Sequence, residues 1–303
     1  MRLIRQSSQK HTDHSNHTWR RLSDAGRGCQ FRVGNKALHL GELSALGFNV
    51  PEGVVLPADA YDEFLRLNRL QNSLDDAVGA IDWSDPTGIE EVAGRVRKSF
   101  ESASLPPGVE EGLRTWLEDS GASDFAVRSS ATSEDLIGAT YAGQYDSYLN
   151  VGADDISAYV KRCFASLFNA RAMLYRRLKK LPHDVSMAVI VQEMVVGDFA
   201  GVLFTKAPRN PAQVIIELAP GIGEKVVSGT VSPNRYLLCR DSLEVQEAHE
   251  AYGFDRERLN DLAALGLRIE SYFGLPQDIE FALVSSDIHI LQSRPIPLRG
   301  PVI

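Results

Sequence analysis

The stretch MAVIVQEMVVGDFAGVLF, starting at Met187, is the longest apolar region of the chain and constrains its fold more than any other segment. Gln192, Glu193 and Asp198 interrupt it, so it cannot cross a bilayer as a single helix; it reads instead as two buried strands. It also marks a change of texture. Ahead of it the apolar residues recur at three and four, as helices require. After it come short runs with strand character, QVIIELA, NRYLLC, DIEFALVS and IHILQS, with one helical pattern over Arg256 to Phe273. The expected fold class is α+β in two lobes, helix-rich over 28–185 and sheet-rich over 186–303.

Within the first lobe, Leu38, Leu40, Leu43 and Leu46 followed by Gly47 predict a short capped helix, and Val54 to Leu56 a strand. Helices are expected over Ala58 to Leu70 and Gly88 to Ser102. The longest helical pattern runs from Asp154 to Leu178, with acids at its start and Arg176, Arg177, Lys179 and Lys180 at its end, as the helix macrodipole favours. Residues 1–27 read as a disordered tail, basic over the first 21 residues but with no apolar stretch for a secretory signal. A transit peptide is the lesser alternative. His11, His14 and His17 lie in this tail, where no rigid cage for a metal is expected.

The net charge of −8 and pI near 5.4 argue against nucleic-acid binding. An anionic ligand would need a local cationic pocket. The three cysteines stand far apart with no metal-ligand spacing, so neither a disulfide framework nor a zinc site is expected, and a reducing cytoplasm fits best.

Two closing strands carry a pattern with chemical content. Asp278 and Glu280 alternate with Ile279 and Phe281, and Gln292 and Arg294 alternate with Leu291 and Ser293. A hairpin through Ser285, Ser286 and Asp287 would put two carboxylates, an amide and a guanidinium on one face: oxygen ligands for a divalent cation and a fork for an anion. An exposed face with a surface salt bridge fits the pattern equally. The glycine-rich ELAPGIGEKVVSGTVSP could approach a ligand closely or be a plain turn. Lys36 and Arg128, each taken alone, read as surface charges.

In chain order, the blocks VGNKALHLGELSALGFNVPEGVVL, FAVRSSATSEDLIGATYAGQYDSYLNV, CFASLFNARAMLYR, VIVQEMV with GVLFT, IIELAPGIGEKVVSGTVSPNRYLL, and PQDIEFAL with LQSRPI resemble one family. It is the N-terminal ATP-binding region of the phosphoenolpyruvate synthase and pyruvate phosphate dikinase group, which includes the rifampin phosphotransferases. The resemblance covers about residues 28–297. It implies an ATP-grasp fold whose lobes clasp MgATP. Carried over position by position, it implies that Lys36 and Arg128 contact phosphates, that Gly143 and Ser147 belong to a loop covering the triphosphate, and that Gln192 lies on the adenine side. It further implies Glu280 and Gln292 as magnesium and phosphate ligands, Asp278 as their neighbour and Arg294 as the closing guanidinium.

Two positions depart from the family pattern: Asn35 replaces the second of two glycines, and Ala207 stands where many relatives have Asp. Asparagine tolerates left-handed backbone angles, so the loop before Lys36 is expected to survive. None of His39, His183, His249 or His289 sits in the glycine- and hydroxyl-rich setting of the family's phosphohistidine. The resemblance therefore implies a partner protein that supplies the histidine, takes the pyrophosphoryl group, releases AMP, and serves a final small-molecule acceptor such as pyruvate, an antibiotic or a phenolic compound. A stand-alone kinase and a non-catalytic nucleotide-binding protein are the alternatives.

Overall fold

The structure is a computed structural model that describes residues 18–132, 145–182, 185–223, 226 and 229–296, with the backbone alone over 29–31. Its first sheet has five antiparallel strands in the order β1 (Arg20–Arg21), β2 (Gly53–Leu56), β5 (Met187–Glu193), β3 (Asp124–Ala131) and β4 (Ser147–Gly152). The second has six antiparallel strands in the order β11 (Asp287–Pro295), β10 (Gln277–Val284), β6 (Phe199–Phe204), β7 (Gln213–Pro220), β8 (Asn234–Cys239) and β9 (Val245–His249). The expected α+β class with two lobes is the one observed.

Side chains on a strand alternate between faces, and the first sheet buries both of its faces. Val54, Leu56, Val127, Val189 and Val191 pack with helices α2 (Ala58–Leu67), α3 (Gln71–Gly79), α4 (Pro86–Ser102), α5 (Pro107–Ser120), α6 (Ile156–Ala165) and α7 (Ala170–Lys179). Val55, Ala188 and Ile190 face the opposite way and join a second core. That core takes in helix α1 (Gln30–Ala45), the inner residues Leu203, Ile216, Tyr236, Ile279 and Phe281 of the second sheet, and Leu259, Leu262 and Ile269 of a helix at Glu257–Phe273, here α8. Helix α1 thus lies between the sheets and helps bury both.

Local signals explain the element ends. At α4 the Asp85 carboxylate accepts from the Thr87 N–H at 3.0 Å, with Pro86 in the first turn, where a missing N–H costs nothing. After α1, Gly47 takes φ +81° and the Phe48 N–H returns to the Leu43 carbonyl at 3.0 Å, so the expected cap forms.

The structure corrects several expectations. Residues 18–27 are not a tail: β1 pairs with β2, and Leu22 and Ala25 are buried, at 2% and 0% exposure, against α1. Residues 1–17, with their three histidines, lie outside the described residues. The boundary at residue 185 is also displaced, because β5 pairs with β2 and β3 at the centre of the first sheet. The crossing falls between Glu193 and Phe199. The pattern over Asp154–Leu178 forms two helices rather than one. Asn169 is extended (φ −56°, ψ 139°), and its Nδ2 donates to both oxygens of Asp146 at 3.0 Å, which breaks the helix there. Leu46, expected on the buried face of α1, is 46% exposed. Among the described residues no helix is long and apolar enough to cross a membrane.

Candidate functional site

The hairpin of β10 and β11 forms, and its polar residues share one face as expected, although the turn is tighter than expected, with Asp287 already paired to Val284. Asp278 stands opposite Arg294, and Glu280 opposite Gln292; directly paired residues share a face, so all four point to one side of the sheet. Arg294 clamps Asp278, with Nε at 2.9 Å and Nη2 at 2.7 Å from the same carboxylate oxygen. Burial pushes the Asp278 carboxyl above its usual value, against the opposing pull of Arg294. The register slips after Glu280, so that Phe281 pairs with Ile290 and Leu291 is left as a bulge.

That bulge is where the first lobe arrives. Arg128 on β3 is 8% exposed, and its Nη1 donates to the Leu291 carbonyl at 3.1 Å and approaches Glu280 Oε2 at 3.5 Å. Its Nε is buried with no hydrogen-bond partner. Ser147 sits opposite Arg128 on β4 and therefore on the same face. Gln192 lies on that face too, two residues further along the sheet; it is 2% exposed and its Nε2 donates to the Pro51 carbonyl at 3.1 Å. Its strand leads directly into the second sheet.

Lys36 is brought to the same place from α1. Its Nζ donates to the carbonyl of Ser129, the neighbour of Arg128, at 3.1 Å. The helix can lie this close because Gly34 has no side chain: a Cβ there would stand 2.4 Å from the Ser130 carbonyl oxygen. Gly34 also takes φ +70°. The Ser130 hydroxyl, in turn, donates to the Val33 carbonyl at 2.7 Å and accepts from the Ala37 N–H at 3.3 Å. Asn35 is not among the residues with positive φ, so its tolerance of left-handed angles is not what preserves the loop.

Seven of the eight side chains marked in the sequence therefore converge by direct contact or shared register, and Gln192 lies on the face of Arg128 and Ser147. Gly143 lies outside the described residues. Pattern reasoning missed the two backbone carbonyls, of Ser129 and Leu291, that seat the cations; only pairing register reveals a bulge.

The residues fit a divalent ion shared with a phosphate chain. Glu280 and Gln292 offer a carboxylate and an amide oxygen from facing positions, and the unpartnered Nε of Arg128 is a buried donor beside them. No group of three or more His, Cys, Asp or Glu among the described residues could hold a metal alone. Any such ion would take its remaining ligands from a bound anion and water, which is how magnesium usually sits with phosphates. Beside Asp278 the same face opens into a cavity of about 600 Å³ with Phe204, Ile215 and Leu237 along its floor.

Comparison with known proteins places the chain in a family. Residues 30–251 and 242–300 match the family model described as pyruvate phosphate dikinase, AMP/ATP-binding domain. A probable phosphoenolpyruvate synthase of Methanothermobacter thermautotrophicus is 36% identical over 88% of this chain and 44% of its own length. One from Methanocaldococcus jannaschii is 34% identical over 87% of this chain and 25% of its own. A rifampicin phosphotransferase of Bacillus cereus is 35% identical over 90% and 35%. The chain thus spans less than half the length of these curated relatives. Among solved structures, the ATP-grasp ligase PsnB overlaps 88% of the chain at 14% identity with a TM-score of 0.34, too loosely to carry weight.

Proposed function

Since this chain belongs to the family of pyruvate phosphate dikinase AMP/ATP-binding domains, we propose that it is the nucleotide-binding subunit of a phosphoenolpyruvate synthase-like phosphotransferase. In this reading it passes the pyrophosphoryl group of MgATP to a histidine on a separate protein and releases AMP. The observation that carries it is the meeting of Arg128, from the first lobe, with Glu280 of the second, directly across from Gln292.

Phosphoryl transfer asks a protein mainly to position groups and to offset charge. Lys36, Arg128 and Arg294 supply three cations within an otherwise acidic chain. Glu280 and Gln292 would hold Mg²⁺, which draws negative charge from the phosphate oxygens when bound. Gln192 marks the adenine end, and Ser147, on the edge strand beside Arg128, the covering side. The partner's imidazole nitrogen donates its lone pair to the β-phosphorus. As that N–P bond forms, the bond from the β-phosphorus to the oxygen it shares with the α-phosphate breaks, and that oxygen leaves with AMP. The relatives include both phosphoenolpyruvate synthases and rifampicin phosphotransferases, so one nucleotide half can serve different final acceptors. A reducing, cytoplasmic setting suits the free thiols of Cys163 and Cys239.

The test is to incubate the chain with MgATP, with and without a phosphohistidine-domain protein of the family, and to separate the nucleotides. AMP that appears only with the partner supports the reading. ADP formed by the chain alone would replace it with direct kinase chemistry, and nucleotide binding without any turnover would reduce the chain to a binding protein.

A further inference from the structure

Ser293 lies between two of the proposed ligands, Gln292 and Arg294, and is held from two directions. Its hydroxyl, buried, donates to Gln277 Oε1 at 2.8 Å. Gln277 is itself tied down: its N–H donates to Thr205 Oγ1 at 2.8 Å and its Nε2 to the Leu275 carbonyl at 2.9 Å. The Ser293 carbonyl meets Nδ1 of His39 at 2.9 Å. A carbonyl can only accept, so Nδ1 must carry the hydrogen. The imidazole is kept in place by the Phe273 ring, 4.5 Å away between centroids.

Two features make this contact more than a packing detail. As the edge strand of its sheet, β11 pairs within the sheet with β10 alone. Its outer side is fixed by the Ile290 N–H on the Asn49 carbonyl, by Arg128 on the Leu291 carbonyl and by His39 on the Ser293 carbonyl. In addition, His39 stands three residues after Lys36, about one helical turn along α1. Lys36 is fastened to the carbonyl next to Arg128. One turn of helix is thus fixed to the cation-bearing strand of the first lobe at one end and to the ligand-bearing strand of the second at the other.

We propose that His39 is a positioning residue for the phosphate end of the site: by donating Nδ1–H to the Ser293 carbonyl, it sets Gln292 and Arg294 in register with Lys36 and Arg128. This rests on reading Glu280, Gln292 and Arg294 as phosphate and metal ligands. Small displacements at such a site are costly because the groups must meet several oxygens at once.

Calorimetric titration of the full chain with MgATP, and separately with AMP, tests it in wild type, His39→Leu, His39→Asn and Arg128→Ala. Loss of one hydrogen bond predicts MgATP binding about five- to tenfold weaker in His39→Leu, with AMP affinity and thermal midpoint close to wild type. Asparagine can place an amide N–H where Nδ1 stands, so His39→Asn should recover affinity to within about twofold. Wild-type MgATP affinity in His39→Leu, failure of His39→Asn to recover it, or equal loss of AMP binding would each overturn the proposal. If MgATP does not bind wild type, or binds Arg128→Ala equally well, the proposed function itself falls, and this result is distinct from the others.

Discussion

The two sheets are built on the same alternation of side chains and are used in opposite ways. The first is covered on both faces, so Val54 to Leu56 of β2 and Met187 to Val191 of β5 read as unbroken apolar runs, all at 0% exposure. The second is covered on one face by α1 and α8, and its other face carries Asp278, Glu280, Gln292 and Arg294, then Glu217 and Arg235 further across. A sheet buried on both sides can contribute chemistry only where its face opens, and Arg128 sits at that opening. The half-open sheet can display a whole row of polar groups. The first sheet therefore serves as a rigid mount, and the second as the working surface.

Four substitutions would break or sharpen that contrast. Phe164, fully buried among Tyr61, Phe64 and the helices on the first sheet, should lose about 3–5 kcal/mol of stability as Ala, read by denaturant unfolding. Arg128→Ala should leave the fold intact and cut AMP formation by about 10²–10³-fold, the scale of a lost charge-stabilising donor. Glu280→Gln keeps the shape but removes the carboxylate; the drop in affinity should be about tenfold for MgATP and much smaller for metal-free ATP, so equal drops would remove Glu280 from the metal. Arg235→Ala breaks a half-exposed pair with Glu217, at 3.2 Å, and should change stability by less than about 0.5 kcal/mol. A large loss there would mean that the open face is structural after all.

A titration gives the smallest expected effect. Burial lowers the folded pKa of His289 on β11 below its usual value, while Asp287 pulls it back up. The unfolded chain then holds that proton more tightly than the folded one. Stability should be fully present above the ordinary histidine range and decline as pH falls through it, and His289→Gln should flatten that slope.

How much of this was legible in the sequence follows the same division. The polar face of the β10–β11 hairpin could be read because a half-open sheet writes its faces as alternation, but the bulge at Leu291 that aligns Glu280 with Gln292 could not. Strand β5 could be recognised as a buried strand, but a run apolar on both faces says nothing about which sheet it enters, and so the lobe boundary fell short. Arg128 could be tied to Glu280, 152 positions away, only through family resemblance, since no local period spans that distance. The break at Asn169 was hidden because apolar spacing continues across it; the asparagine itself, a residue that competes for backbone hydrogen bonds, was the available signal. Trp19, Leu22 and Ala25 are too sparse to show a period, yet they are packed or buried.

The placement of α1 has a consequence for synthesis. His39 and Ser293 are 254 positions apart, and a ribosome adding about 5–20 residues per second needs roughly 13–50 s to bridge that interval. For most of it, once the apolar stripe of Val33, Ala37, Leu40 and Leu43 has left the tunnel, much of the surface it will cover does not yet exist. Until the β10–β11 hairpin emerges, that stripe leaves the nascent chain open to aggregation.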